Sequence, residues 1–259
     1  MNKLIITLFC LFTLLGCKED TPQSTSTTSN TGEGSSQYNH NRGVGKSNVD
    51  IIKSTTYTAL IIEIQYFPGH SPATSTINNL RLFVEEIVDK PAGVVVLTKE
   101  IPSPGDNTYS LSQIKELESN NRDYYTSNDT MSVYFLFVDA EYDENQGSSK
   151  VLGIAHRNTS MVLFESTIKD LSGGIGKPST EVLETTVINH EFGHILGLVN
   201  NNLAMVLNHE DASHSHHCDN EDCLMYWLAE TGDFGSNLIG ATSAPGLDAN
   251  CMNDLISIQ

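Results

Sequence analysis

The stretch HEFGHILGLVN, residues 190–200, decides how this chain is read. On a helix, His190 and His194 stand four residues apart, so both imidazoles project from one face and can reach a single ion. Glu191 lies beside that face, placed to polarise a water held by such an ion. Ile188, Phe192, Ile195 and Val199 fall on the other side and give the helix an apolar back. Upstream, STEVLETTVIN extends the same helix to Ser179. Pro178 precedes it, Ser179 is available as N-cap, and Glu181 sits favourably in the first turn. Gly197, three residues after His194, is where a left-handed turn can end it.

The pentapeptide alone is only moderately specific. From this chain's own His and Glu frequencies, H-E-x-x-H arises by chance on the order of once in fifty such sequences. An exposed helix carrying two histidines is the plainer reading. Against it, six of the nine histidines (190, 194, 209, 214, 216 and 217) fall within 28 residues. That clustering favours a metal over scattered core histidines.

Two segments then carry a family resemblance. HEFGHILG resembles the zinc-binding helix and following glycine of the metzincin clan of metalloproteases, and CLMY, with Met225, resembles that clan's methionine turn. HCDNEDCLM, residues 217–225, is similar to the His-Cys-x4-Cys-x-Met segment of archaemetzincins, where the histidine is the third zinc ligand. In that family the segment begins where Asn200 stands; here His217 arrives 17 residues later, which reads as an insertion, NNNLAMVLNHEDASHSH. His217 is the expected third ligand, with His209 and His214 as alternatives. His216, its neighbour in extended chain, faces the other way. His209 with Asp211 could instead orient a ligand imidazole.

The resemblance implies an α/β (α+β) zincin fold: a mixed twisted sheet with packed helices, a long active-site helix and a small loop-rich C-terminal part. It also implies a zinc-dependent endopeptidase acting on extracellular proteins, with one catalytic Zn2+ and Glu191 as general base for the attacking water. Tyr226 directly follows Met225, one position earlier than the tyrosine some metzincins use as an oxyanion donor; core packing is its competing role. The family's matching cysteines hold a second, structural zinc with a later cysteine pair. Here only Cys251 follows, so a disulfide between Cys218 and Cys223 is the expectation outside the cytoplasm, and a Cys3His zinc site the alternative.

The rest of the chain sets the context. MNKLIITLFCLFTLLGC has a lysine, an apolar run and a small residue before Cys17, the organisation of a signal peptide too short to span a bilayer comfortably. Its LLGC end resembles the lipobox of bacterial lipoproteins, which implies removal of residues 1–16 and acylation of Cys17. The following Lys18, Glu19 and Asp20 resemble a signal for outer-membrane lipoproteins displayed at the cell surface. Residues 17–54, rich in Ser, Thr, Asn and Gly, are expected to be a disordered tether with a reach of about 30 to 35 Å. The domain is then expected at 55–259, with an upper part at 55–199 and a lower part at 200–259. A net charge of −18 and the lack of a basic cluster argue against nucleic acid as a partner.

Within the domain, YTALIIEIQYF from Tyr57, GVVVLTKEI from Gly93 and MSVYFLFVDAEY from Met131 read as strands, the second as a buried one. VLGIAH and SMVLFEST read as two shorter strands. Helices are expected at 75–90, from the spacing of Ile77, Leu80, Phe83, Val84, Ile87 and Val88, and at 110–121. Two other classes of function compete with the enzyme: a non-catalytic, His-rich zinc-binding surface lipoprotein, and a degenerate protease fold serving as an adhesin.

Overall fold

The β-branched and aromatic runs form the centre of the molecule. In a computed structural model, which describes residues 37–146, 150–232 and 236–259, the elements follow in this order. They are α1 (Asn48–Ile52), β1 (Ala59–Tyr66), α2 (Thr74–Ile87), β2 (Gly93–Glu100), β3 (Thr108–Tyr109), α3 (Leu111–Asn121), β4 (Thr130–Val138) and β5 (Glu141–Tyr142). After these come β6 (Gly153–Arg157), β7 (Ser160–Phe164), α4 (Glu165–Asp170), α5 (Thr180–Ile195), a 3-10 turn (Trp227–Glu230) and α6 (Ala249–Ile256). Five strands make one sheet in the order β2-β1-β4-β7-β6. Four run parallel, and β6 returns antiparallel to β7 as one edge.

Strand alternation divides the core into two layers. On β4, Met131, Val133, Phe135 and Phe137 face the layer of α2 and α5, while Tyr134, Leu136 and Val138 face that of α3. Phe192 of α5 meets Phe135 edge-on, ring centres 5.9 Å apart, so the helix that carries the histidines is keyed to the central strand. Helix starts follow their sequences. Ser110 and Gln113 form a capping box on α3, and Ser179 Oγ accepts the Val182 N–H at the start of α5.

Three expectations need correction. GVVVLTKEI is not a buried strand: β2 is the other sheet edge, with Val95 half exposed, because it has a partner on one side only and α2 covers one face. SMVLFEST is strand only as far as Phe164, after which Glu165 opens α4. The largest correction concerns the tether, since residues 37–54 are folded into the domain. Ile51 and Ile52 of α1 are fully buried, and Tyr38 packs on the same core and donates to Asp50 Oδ2 at 2.7 Å. The Lys90 ammonium holds the chain around α1 by donating to the carbonyls of Asp50, Lys53 and Tyr57. The expected signal, Cys17 and the tether up to residue 36 lie outside the described residues.

Residues 200–259 are loop-rich, as their composition suggests, but they end in α6, capped by Asp248, which accepts the Cys251 N–H at 2.9 Å. No described helix is long and apolar enough to cross a membrane.

Candidate metal centre

The end of α5 builds the site. Gly197 takes a left-handed conformation, φ 80°, and its N–H bonds to His194 O while the Leu198 N–H bonds to Gly193 O. This pair of bonds is a Schellman termination, which satisfies the last carbonyls and turns the chain sharply. Asn200 follows at φ 60° and directs its side-chain amide to Glu210 Oε2 at 3.1 Å, away from the histidines.

The insertion then folds back on itself. Glu210 pairs antiparallel with Cys218, flanked by the Asp211 N–H to His217 O bond (2.8 Å) and the Asp219 N–H to His209 O bond (2.9 Å). His216 closes the turn at φ 67°, its N–H bonded to Glu210 Oε1. The ladder returns His217 to α5. There the ligand nitrogens of His190, His194 and His217 all lie within 4.8 Å of one another, and the His190 and His194 Nε2 atoms are 3.1 Å apart.

The hydrogen bonds set the tautomers. A carbonyl can only accept, so His190 donates from Nδ1 to Leu224 O at 2.8 Å, and His217 from Nδ1 to Ser215 O at 3.0 Å. Both therefore present the Nε2 lone pair inward. Burial, reinforced by His190 and His217, holds His194 well below the usual histidine range and so neutral, the state a ligand requires. Two nitrogens bound at 2.0–2.1 Å to one tetrahedral ion are about 3.3 Å apart. The three imidazoles thus fit a zinc ion.

Glu191 is almost wholly buried, and its Oε2 accepts the Ala155 N–H of β6 at 2.6 Å. This close approach needs Gly153, where a Cβ would lie 2.8 Å from both Glu191 Cγ and Val187 Cγ1. A second glycine acts beneath the histidines. A Cβ at Gly193 would fall 2.3 Å from Met225 Sδ, so this residue makes the space in which the buried methionine lies. The methionine segment is tied on both sides, by the Cys218 N–H to Met225 O and by the Leu224 N–H to Gly246 O, both 2.8 Å.

The other candidates are placed elsewhere. His214 stacks on Trp227, ring centres 4.0 Å apart and nearly parallel, with Nδ1 3.0 Å from Asp211. His216 is exposed beside Glu210. Tyr226 leans on Trp227 and packs against the core. His209 is buried in a second cluster, with Nδ1 3.4 Å from Cys218 Sγ and Nε2 2.9 Å from Asp254 Oδ2. Burial there would lower its pKa, but these two hydrogen bonds outweigh it and raise it.

Cys218, Cys223 and Cys251 are free and buried, which corrects the expected Cys218–Cys223 disulfide. They converge with His209 instead. Ligand atoms of His209, Cys218, Asp248 and Cys251 lie within 4.8 Å of one another, and Cys223 Sγ is 3.6 Å from Cys251 Sγ. Hydrogen bonds from the neighbouring cysteines and from the Asp248 and Met225 N–H groups hold Cys223 well below the ordinary thiol range. The partners Ala155, Leu224 and Asp254 left no signal in the sequence. Gly193 did, because a glycine inside the ligand helix has a cost that some close neighbour must explain.

A mixed, mostly parallel twisted sheet under packed helices, with this site at the end of one of them, is an archaemetzincin-type zincin fold. Among solved structures, the chain is similar to an archaemetzincin from Methanopyrus kandleri, with 16% identity and a TM-score of 0.51 over 79% of this chain and 96% of that one. Metalloproteinase-II from Bacteroides fragilis aligns at 16% identity and a TM-score of 0.41, over 80% of this chain and 55% of that one. No protein-family model and no curated protein sequence matches the chain.

Proposed function

We propose that this protein is a zinc-dependent endopeptidase. The observation that carries the reading is the convergence of His190, His194 and His217 with Glu191 in one cleft beside the sheet's antiparallel edge strand. Among the described residues three imidazoles converge without a fourth protein ligand, and such a set makes an open site of catalytic type. A zinc ion held there supplies a Lewis acid that polarises the peptide carbonyl and lowers the pKa of water towards neutrality. Glu191 takes the proton from the attacking water at Oε1 while the Ala155 N–H steadies Oε2, and then delivers that proton to the leaving amine. Simple metal capture would need no carboxylate fixed in this way.

His209, Cys218, Cys223 and Cys251 hold a second, structural ion in the same reading. Soft thiolates suit zinc better than Asp248, whose Oδ1 is engaged in capping α6. Asp254 orients the His209 ring. We further propose that Cys17 carries a lipid and that the enzyme acts on protein or peptide substrates at the outer-membrane surface, on the strength of the LLGC segment.

The decisive experiment compares Glu191→Ala with the native protein on denatured protein substrates while counting bound zinc. The reading expects zinc retained at two ions per chain and peptide cleavage reduced by about 10²-fold or more. Undiminished cleavage by the variant would sink the mechanism. Several weakly held ions without cleavage by the native chain would favour the capture lipoprotein instead.

A further inference from the structure

A cavity of about 350 Å³ lies between α2, α5 and residues 242–246. Its α5 wall includes Val182, Thr185 and Asn189. At about 100° per residue these three fall on the side of the helix roughly opposite Glu191 and His194, so the cavity is separate from the catalytic cleft. Asn189 gives it the character of a ligand site. That side chain is buried, 4% exposed, and its Oδ1 takes no hydrogen bond among the described residues. A buried acceptor left so is a cost that a donor from outside the chain would remove, and the cavity provides the room for one.

The remaining lining sets the chemistry of that donor. Glu86 of α2 and Glu181 in the first turn of α5 are exposed carboxylates, and no lysine or arginine is among the described lining residues. Arg81 of α2 is engaged with Glu85 instead, at 2.8 Å. Between the acids the wall is apolar, with Phe83, Pro245 and Leu82, the last 57% exposed. Carboxylates around a hydrocarbon surface suit a side chain with an aliphatic stem and a cationic head. The net charge of −18 adds attraction at longer range.

We propose that this cavity is an exosite for a basic peptide segment. It takes a lysine or arginine side chain, with the stem on Leu82, Phe83 and Pro245 and the head donating to Asn189 Oδ1 within the field of Glu86 and Glu181. An acidic side chain would meet two like charges, and an aliphatic one would leave Asn189 Oδ1 without a donor. The exposed Thr242 and Ser243 at the rim offer hydroxyls to the flanking peptide groups, which a free amine lacks.

The test titrates blocked tripeptides, acetyl-Ala-X-Ala-amide with X lysine, arginine, norleucine or glutamate, into the zinc-loaded full chain, with NMR amide shifts locating the binding. The lysine and arginine peptides should bind roughly tenfold tighter than the other two, shift the Asn189 side-chain amide, and lose most of that margin at about 0.5 M salt. Glu86→Gln combined with Glu181→Gln should cut the margin to about twofold. Asn189→Leu should abolish it; if that variant does not fold, the exposed glutamate pair decides alone. Equal binding of all four peptides, shifts confined to other parts of the chain, or an unchanged margin in the double variant overturns the exosite. Butylammonium binding as tightly as the lysine peptide overturns the peptide assignment. Glu191→Ala should bind the lysine peptide as the native chain does, so failure of the peptidase reading leaves this result standing. Loss of binding in that variant would instead place the cation in the catalytic cleft and overturn the exosite.

Discussion

Gly193→Ala sets two effects of opposite sign against each other. Inside an ordinary helix, replacing glycine by alanine stabilises by about 1 kcal/mol, because alanine has less conformational freedom to lose. Here the new methyl would stand 2.3 Å from Met225 Sδ and 3.1 Å from Met225 Cε, well inside contact distance, and that methionine is fully buried. Overpacking of this kind costs about 1–3 kcal/mol, so the net change should be a loss of up to about 2 kcal/mol. The assay is urea unfolding of the zinc-loaded protein, followed by far-ultraviolet circular dichroism, as a double-mutant cycle with Met225→Ala. Met225→Ala alone should cost about 2–5 kcal/mol through the cavity it leaves. In that background Gly193→Ala should turn stabilising, a coupling of about 2 kcal/mol. If Gly193→Ala stabilises the otherwise native protein, or if the two changes simply add, the account of that glycine is wrong.

Other outcomes follow from the same geometry. His217→Ala should weaken zinc binding at the catalytic site by more than about 100-fold, since even partners of ligands matter at 10- to 100-fold, whereas His214→Ala should change it little; competition with a chromogenic chelator measures both. Burial, with the nearby Glu184, pushes the Glu165 carboxyl up to about 9. Its raised folded pKa means that its contribution is fully present below the unfolded value, about 4.3, and is lost as pH rises through 9. Glu165→Gln should therefore flatten the decline in urea midpoint between pH 5 and 9, and an unaltered pH profile would contradict the assignment. Asn158→Ala leaves backbone groups of Asn39 and Arg42, in the strap formed by residues 37–47, without their buried partner, which should cost about 1–3 kcal/mol and expose that strap to limited proteolysis. A strap as resistant as in the native protein would show that its hold lies elsewhere.

What the sequence revealed and what it hid follow from the range of the forces involved. The helix bearing His190 and His194 is legible because its periodicity, its cap at Ser179 and its stop at Gly197 are all local. The central strand β4 is legible because an apolar run of its length has nowhere to go but the core. The position of β2 is not, since Val94, Val95 and Val96 read alike whether one neighbour flanks them or two. The strap was misread for a related reason. Its polar residues look like linker until Asn158, more than a hundred positions away, supplies the hydrogen bonds that order them. His217 was singled out through a resemblance of segments, and its place beside α5 depends on the Glu210–Cys218 pairing within the insertion. Cysteine spacing suggested a pair, but a buried histidine from the same insertion groups with Cys218, Cys251 and Asp248, and Cys223 lies beside Cys251.

The last sixty residues contain only one α-helix and a 3-10 turn among their described elements, yet they supply His217, Met225 and the three thiols of the described residues. A segment with so little regular structure relies on scattered turn and bridge hydrogen bonds, which open more locally than a helix or a sheet does. Part of its order is borrowed from α5, through the His190 bond to Leu224 O and the space beside Gly193, and on the proposed reading metal would add to it. Amide exchange should consequently divide the molecule in time: removing zinc would release the amides of residues 200–259 early, while those of β1 and β4 stay protected. Metal supply, more than sequence-encoded stability, would then decide how long the finished cleft survives once the chain has folded.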